Sequence, residues 1–320
     1  MNQNIEKKCK IILIWSQFKQ LELLKCDLEK CGFEVESFSS DNPAIYSIID
    51  EKYTAILIES SEWVDAYEIC DSIRKQCSTI PIFFITNSLP TNYVEKAFFK
   101  GYPDHLINVS MPELSDWVTQ NLKKLTIRDF SGIGFYSKTT ESSISININK
   151  SKMKDLYIEE MIKFVSTGKV RERVLHTIAD ILDEMITNAL FNAPIDENGV
   201  FLYQNYDRKE NVELSEKQSS VLTCLINGNK IFLSIKDPFG SLTKNKLMSY
   251  LSKSNSTSQV YVENKKGGAG IGIHTIFRLS HNFVINIIPG VFSETIICIS
   301  NEPDILKQDN VSLDVFVREI

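Results

Sequence analysis

Three separated segments in the second half of the 320-residue chain carry residue types that can bind phosphate and magnesium. Residues 184–188 read Glu-Met-Ile-Thr-Asn, residues 237–240 read Asp-Pro-Phe-Gly, and residues 267–272 read Gly-Gly-Ala-Gly-Ile-Gly. An amide oxygen suits Mg²⁺, which takes one or two protein oxygens and completes its shell with phosphate and water. Glycines let backbone N–H groups approach phosphate oxygens, and a well-placed carboxylate can act as a general base. The combination predicts chemistry on a phosphorylated ligand.

Two widespread phosphate-binding motifs do not fit the glycine cluster. A Rossmann turn places its glycines directly after a first strand, with an acidic residue about 20 positions later. The cluster instead follows a long polar segment and lies in the last fifth of the chain. A P-loop needs Gly-Lys-Ser or Gly-Lys-Thr after its glycines, and the sequence contains neither. Both alternatives are therefore excluded.

The first of the three segments belongs to a predicted helix over residues 171–193, which Pro194 ends. At 100° per residue, eight apolar side chains share one broad face, namely Leu175, Ile178, Ala179, Leu182, Met185, Ile186, Ala189 and Leu190. Four polar side chains recur at every fourth position on the opposite side, namely Asp180, Glu184, Asn188 and Asn192. This polar stripe contains no lysine or arginine, and asparagine is a poor helix former. We therefore interpret the stripe as the wall of a site rather than as a solvated face.

In this order, the three segments resemble the N box, G1 box and G2 box of the GHKL (Bergerat) nucleotide-binding fold. Gyrase, histidine kinases, MutL and anti-sigma-factor kinases share that fold. The resemblance implies an α/β-sandwich domain that binds ATP with Mg²⁺. Asn188 would help to hold Mg²⁺ against the triphosphate, and Asn192 lies in the same box. Glu184 matches a position that some members use as the base that activates a nucleophile.

In the G1 box, Asp237 matches the aspartate that accepts a hydrogen bond from the adenine amino group and so selects adenine over guanine. Gly240 would let the backbone pass close to the base. The usual DxGxG pattern reads Asp-Pro-Phe-Gly-Ser here, so the shape of this loop departs from the family pattern. An Asp-Pro turn that merely ends a strand is the alternative interpretation of Asp237.

The G2 box follows a polar segment over residues 241–266, which the resemblance identifies as the ATP lid. Residues 246–251 could form a short helix within it, and residues 271–279 are predicted as a helix after it. Three glycines would bring N–H groups to the phosphates, namely Gly268, Gly270 and Gly272. Lys266 is a candidate contact to the γ-phosphate, with a solvated lysine as the alternative.

The first part of the chain has another pattern, in which short apolar runs alternate with amphipathic stretches. Residues 9–15, 54–58 and 81–85 are predicted as buried strands. The alternation predicts a doubly wound, flavodoxin-like parallel sheet with its working residues at the carboxyl ends of the strands. Residues 52–75 and 80–87 resemble a response-regulator receiver, and residues 101–117 resemble the last strand and helix of that fold.

The residues at the receiver's chemical positions argue against phosphoryl transfer there. Ser16 and Gln17 replace the acidic pair that holds magnesium, Glu59 replaces the phosphoacceptor aspartate, and Asn108 replaces the lysine, whereas Thr86 keeps the hydroxyl. Without carboxylate ligands, nothing would hold the cation that the reaction needs. We therefore predict a pseudo-receiver that serves for docking or for homodimer formation. Glu59 is expected to be an exposed carboxylate, with a permanent phosphate mimic as the alternative.

The predicted organisation has four parts. Residues 1–126 form the receiver-like domain, 127–152 a connector with edge strands, 153–300 the ATPase domain and 301–320 a C-terminal tail. Alternating polarity predicts an edge strand over residues 143–148 and further strands over 199–205 and 219–227.

Composition narrows the class of protein. With 43% hydrophobic and 24% charged residues, the chain can form two ordinary cores. The net charge is −6 and neither half is basic, which argues against nucleic-acid binding. The seven cysteines are scattered, as expected for reduced thiols rather than for a zinc site. No signal peptide and no apolar run near ~20 residues is visible, so we expect a cytoplasmic protein that does not enter a membrane.

His176 lies beside the apolar helix face and is expected to be a packed or capping residue, so autophosphorylation on histidine is unsupported.

Three functional hypotheses follow. The first hypothesis is a cytosolic ATP-binding signalling protein of two-component or anti-sigma type. It would act as a kinase on an unidentified partner, transferring phosphate to Ser or Thr with Glu184 as base. The second is a non-catalytic switch in which ATP gates partner binding. A gyrase- or MutL-like ATPase is a weaker third, because the transducer domain of those proteins is missing.

Overall fold

The computed structural model describes residues 9–15, 20–39, 53–59, 63–86, 103–111, 113–136, 142–252, 271–302 and 312–319. The chain divides into two compact units. The first comprises residues 1–89 and 96–130, and the second comprises residues 90–95 and 131–320. The boundary at residue 130 lies four positions beyond the predicted end of the receiver-like domain.

The first unit contains a parallel sheet of five strands in the order β2-β1-β3-β4-β5. The strands are β1 Lys10–Trp15, β2 Glu34–Ser39, β3 Ala55–Glu59, β4 Ile82–Thr86 and β5 His105–Asn108. The helices of this unit are α1 Gln20–Lys30, α2 Trp63–Gln76 and α3 Leu114–Thr126. Every residue of β3, β4 and β5 is buried, because a parallel sheet with helical crossovers is covered on both faces. The strand order is that of flavodoxin-like sheets, which confirms the predicted parallel α/β arrangement.

Three polar residues end adjacent strands at the carboxyl edge of this sheet. Glu59 ends β3, Thr86 ends β4 and Asn108 ends β5, with Thr86 and Asn108 in register. Glu59 is only 3% exposed, so the expected exposed carboxylate is wrong. The burial of β3 extends to its last residue, whereas the sequence pattern places the end of this strand one residue earlier. Ser16 and Gln17 lie outside the described residues.

The second unit contains a mixed sheet in the order β11-β9-β10-β8-β7-β6. Its strands are β6 Ser142–Ile148, β7 Ser220–Asn227, β8 Lys230–Asp237, β9 Asn282–Ile288, β10 Phe292–Ser300 and β11 Ser312–Val317. All neighbours are antiparallel except β11 and β9, which are parallel. Its helices are α4 Lys154–Ser166, α5 Glu172–Thr187, α6 Lys244–Ser252 and α7 Ile271–Leu279. α5 packs between α4 and α7, and α6 packs on α7.

The pleat of β8 decides which of its side chains reach the helices. Phe232 stacks on Tyr136, at 6.3 Å between ring centroids, and Ser234 donates to the buried Glu294 at 2.7 Å. These residues therefore mark the face opposite the helices. Because successive residues of a strand alternate between faces, Ile235 and Asp237 point to the helical side.

Three predictions about this unit can be compared directly with the structure. The edge strand is confirmed as β6, which pairs with β7. The predicted C-terminal tail is wrong for residues 312–317, which form the strand β11, buried from Ser312 to Phe316. The strand over 199–205 is also wrong, since the described backbone there makes only an isolated bridge between Ile195 and Phe201. These two segments were misassigned because a short alternating or polar stretch does not reveal whether a partner strand is available.

His176 is exposed rather than packed. Its side chain is 78% exposed and lies 3.9 Å from the carboxylate of Glu172, one turn earlier. At 100° per residue, His176 is about 160° from Ile178, the centre of the buried face of α5. The expected packing or capping role is therefore wrong. Among the described helices, none combines the length and apolar character that a membrane crossing requires.

Candidate functional site

A cavity opens between the helices of the second unit and the helix-facing side of its sheet. It encloses about 850 Å³, a volume that includes the open space at its mouth. The apolar side chains that line it include Met185, Ile235, Ile276 and Phe283, and its polar groups include those of Asn188, Asn192 and Asp237. The predicted amides of the N box and the predicted carboxylate of the G1 box thus share one cavity.

Asp237 ends β8 and presents a buried carboxyl group. Its Oδ1 accepts hydrogen bonds from the backbone N–H groups of Phe239 at 2.9 Å and Gly240 at 3.3 Å. Burial raises the pKa of Asp237 to about 6, against the opposing effect of these donors and of the Ser293 N–H. The carboxyl group is therefore ionised and can accept hydrogen bonds at neutral pH, which lies only about one unit above its pKa.

The turn after Asp237 requires glycine at position 240. Gly240 has φ 59°, and a Cβ atom there would clash with the Ile288 carbonyl and lie 2.6 Å from the Gly290 nitrogen. The Gly290 N–H also donates to the Gly240 carbonyl at 3.2 Å. Gly240 thus fixes the loop against the β9–β10 turn, while the next residue, Ser241, lines the cavity.

The end of α5 widens into a π-helical turn over Asn188–Asn192. This corrects the predicted uniform helix over 171–193. In the turn, the Asn192 Nδ2 donates to the Asn188 Oδ1 at 2.6 Å, and both residues line the cavity. Single π-helical turns often occur at functional sites, because they change the direction of side chains that an α-helix would place differently.

Glu184 lies one turn before Asn188 and is half-buried. Burial raises the pKa of Glu184, Asp183 raises it further, and Lys154 and Arg208 act in the opposite direction. Lys154 is itself held by Asp183 at 2.6 Å and by the Thr187 hydroxyl at 3.1 Å.

The carboxylate of Glu184 also fills the space beside Gly272, the second residue of α7. A Cβ atom on Gly272 would clash with the Glu184 Oε2 and lie 2.9 Å from its Cδ. The structure therefore brings the N box into contact with the last glycine of the cluster. Lys266, Gly268, Gly270 and residues 253–266 of the predicted lid lie outside the described residues.

Several cavity residues have no counterpart in the sequence predictions. Phe201 and Gln204 come from the irregular segment after α5, and Lys246 and Tyr250 come from α6. The Lys246 Nζ lies 3.6 Å from the centroid of the Phe201 ring, and burial lowers the pKa of Lys246. No local pattern marks these residues, because the chain fold alone brings them to the cavity.

The residues of the cavity suit a metal ion that takes most of its coordinating oxygens from a bound ligand and from water. Within the described part of the chain, no group of three or more His, Cys, Asp or Glu side chains could hold a metal ion by itself. Asn188 offers an amide oxygen at the cavity wall. One protein oxygen supplemented by phosphate oxygens and water is a common arrangement for Mg²⁺, so the residues present are compatible with a nucleotide-bound magnesium ion.

No family profile and no curated protein matches the sequence. A CheY-like response regulator receiver domain protein from Methanospirillum hungatei JF-1 is 14% identical, covers 37% of this chain and 97% of its own, and gives a TM-score of 0.32. The response regulator DrrB from Thermotoga maritima, an OmpR/PhoB homologue, is 19% identical, covers 37% of this chain and 52% of its own, and gives a TM-score of 0.30. Likenesses this weak carry no argument about function.

Proposed function

We propose that the second unit binds ATP together with Mg²⁺, and that the protein uses this binding in signal transduction. The observation that carries the proposal is the convergence of Asn188, Asn192 and Asp237 on one cavity. These residues are separated by up to 49 positions in the sequence. Their convergence supports the interpretation of Asn188 and Asn192 as part of the wall of a site, whereas Asp180, at the other end of the polar stripe, is exposed.

The cavity is suited to an adenine base. Met185, Ile235 and Ile276 offer apolar surface to a planar ring, and Asp237 offers a buried acceptor at the end of β8. Adenine carries an amino group that donates to such an acceptor, whereas guanine carries a carbonyl oxygen at the equivalent position. A carboxylate facing that carbonyl leaves two acceptors unpaired, which is costly in a site closed to water. The proposed ligand is therefore ATP rather than GTP.

The other polar groups suit the phosphates. Asn188 would contribute one oxygen to Mg²⁺, and the ion would neutralise part of the triphosphate charge. Gly272 marks the start of α7, whose N-terminal dipole favours anions.

Transfer of phosphate to a partner protein is the first of two outcomes for the bound ATP. Glu184 is half-buried, and its pKa is raised by its surroundings, which suits a base that takes a proton from an attacking hydroxyl. The proposed reaction is phosphorylation of Ser or Thr on an unidentified signalling partner. Histidine autophosphorylation is not proposed, since the exposed His176 has no phosphoacceptor motif around it.

The contact between Glu184 and Gly272 favours the second outcome, a switch without phosphate transfer. Because the carboxylate is packed against the first turn of α7, nucleotide binding there would act directly on the helix that follows the predicted lid. ATP would then alter a partner-binding surface. The first unit, with a parallel sheet and Glu59 in place of a phosphoacceptor aspartate, would serve for docking or homodimer formation in the cytoplasm.

Calorimetric titration with Mg-ATP and Mg-GTP tests the proposal. We expect ATP to bind and GTP to bind at least 10-fold more weakly, since an unpaired buried acceptor costs about 1–3 kcal/mol. Asn188→Ala should weaken Mg-ATP binding by more than 10-fold without changing the circular dichroism spectrum. The exposed Asn205→Ala is the matched control and should bind ATP normally. Equal binding of ATP and GTP, or unchanged affinity in Asn188→Ala, would refute the assignment.

Labelled γ-phosphate separates the two outcomes. If the protein is a kinase, label appears on proteins that co-purify with the chain, and Glu184→Gln abolishes the transfer while Mg-ATP still binds. If the protein is a switch, no label is transferred, and the co-purifying partner is bound or released according to the nucleotide present.

A further inference from the structure

Arg208 is a partly buried basic residue that contacts the π-helical turn at the end of α5. It lies in the segment between α5 and β7 that the sequence presents only as a charged loop. Its Nη2 donates to the Asn192 Oδ1 at 2.9 Å, and its Cζ lies 4.8 Å from the centroid of the Phe191 ring. The guanidinium is therefore held in place on two sides, by an amide and by an aromatic ring.

The remaining donors of Arg208 are not fully used. Its Nη1 is buried and has no hydrogen-bond partner among the described residues. Burial lowers the pKa of Arg208, although Glu184 acts in the opposite direction. Leaving a charged donor buried and unpaired is unfavourable, and a bound water or ion is one of the explanations for such a group in a native structure.

A hydrogen-bonded chain connects Arg208 to the proposed magnesium site. Arg208 donates to Asn192, and Asn192 donates to Asn188 at 2.6 Å. Both asparagines line the cavity. Arg208 does not itself line the cavity, but it directly contacts Asn192 at the cavity wall, beside the residues that would face the phosphates. Its planar fork of N–H groups matches phosphate oxygens in geometry and charge.

We propose that Arg208 binds the phosphate chain of the nucleotide, with Asn192 as the residue that orients it. This inference rests on the proposed function, because it needs a nucleotide in the cavity. Arg208 would then be a specificity determinant, because it would favour adenine nucleotides over adenosine, which carries no phosphate. This residue lies in a loop outside the three motifs. Arg208 also offsets the negative charge of Glu184, which would otherwise repel the phosphates.

The test is calorimetric titration of the full chain with Mg-ATP and with adenosine. Arg208→Gln is expected to weaken Mg-ATP binding on the order of 10- to 100-fold, as for loss of a charge-assisted hydrogen bond. Adenosine binding should change by less than about 2-fold. Arg208→Lys, which keeps the charge but loses the fork, should fall between the wild type and Arg208→Gln. Lys209→Gln removes the same charge from an exposed neighbour and should leave both affinities unchanged.

The ionic strength dependence of Mg-ATP binding provides a second measurement, which a purely structural role would not alter. Arg208→Gln should show a weaker salt dependence than the wild type, because one cationic contact to phosphate is lost. If Arg208→Gln binds Mg-ATP like the wild type, or weakens ATP and adenosine equally with unchanged salt dependence, the inference is overturned. If the wild type binds neither ligand, the proposed function itself fails and the inference fails with it.

Discussion

The ionisation of Asp237 gives a prediction that joins the geometry of the cavity to a measurable quantity. The carboxyl group is buried at the end of β8 and its pKa is about 6. Its Oδ1 already accepts two backbone N–H groups, so a proton would be carried by Oδ2. A protonated carboxyl would then present a donor to the adenine amino group, which is itself a donor. Binding of adenine therefore requires the ionised form.

The magnitude follows from the fraction of ionised Asp237. When a ligand binds only the ionised form, its apparent affinity falls by the factor 1 + 10^(pKa − pH). With the pKa at about 6, this factor is about 1 at pH 7.5 and about 11 at pH 5, or about 1.4 kcal/mol of binding free energy. We therefore expect about 10-fold weaker ATP binding at pH 5 than at pH 7.5 from this group alone.

The assay is calorimetry across this pH range on the wild type and on Asp237→Asn. ATP has its own titrating groups, but these affect both proteins alike, so the ratio of the two affinities isolates Asp237. Asp237→Asn should bind ATP more weakly than the wild type at pH 7.5, and the difference should shrink toward pH 5. A ratio that does not change between pH 5 and pH 7.5 would refute the role of Asp237 as an ionised acceptor.

The titration of Asp237 also predicts how the free energy of unfolding of the ligand-free protein depends on pH. The pKa of Asp237 is higher in the folded protein than the ordinary value of 3.8, so the folded state binds the proton more tightly. This contribution to the free energy of unfolding is fully present below pH 3.8 and is lost as the pH rises through 6. The loss is on the order of 3 kcal/mol, and it should be absent in Asp237→Asn. Urea denaturation of both proteins at several pH values measures the difference.

Two further predictions concern glycines with different surroundings. Gly240→Ala should reduce the free energy of unfolding by at least about 2 kcal/mol more than Gly290→Ala, because both residues have positive φ but only a Cβ at 240 meets backbone atoms. Similar losses in the two variants by urea denaturation would contradict this. Gly272→Ala should destabilise the protein through its clash with Glu184, and Glu184→Ala should relieve most of that loss in a double-mutant cycle. Additive effects would show that the two residues do not share one space.

The sequence predicted well those features that depend on local periodicity. The 3.6-residue pattern of α5 identified its buried face, and Ile178, Leu182 and Ile186 are indeed fully buried. Helix α7 was predicted with its observed bounds, because a glycine cluster and an apolar stripe mark its start and its buried side. The parallel strands of the first unit were found from continuous apolar runs, since strands buried on both faces show little alternation.

Features that depend on distant partners could not be predicted in this way. Phe201 lines the cavity and Arg208 contacts Asn192 at its wall, but the alternating pattern of residues 199–205 predicted a strand and gave no sign of either contact. Glu59 is buried by surrounding structure that its local sequence does not describe. The contact between Glu184 and Gly272 joins segments 88 residues apart, so only the fold reveals it. The motifs predicted which residues share the site, and the tertiary structure supplies the rest of its wall.

The strand β11 has a consequence for how the protein is made and dissected. It is the only parallel neighbour of β9 among the described strands, yet the ribosome synthesises it after the other five strands of its sheet. A truncated chain ending at residue 302 would leave β9 with exposed backbone donors and acceptors along one edge. Unpaired edges of apolar strands promote aggregation. Recombinant fragments intended for nucleotide binding should therefore extend through Val317, because a shorter version is expected to precipitate.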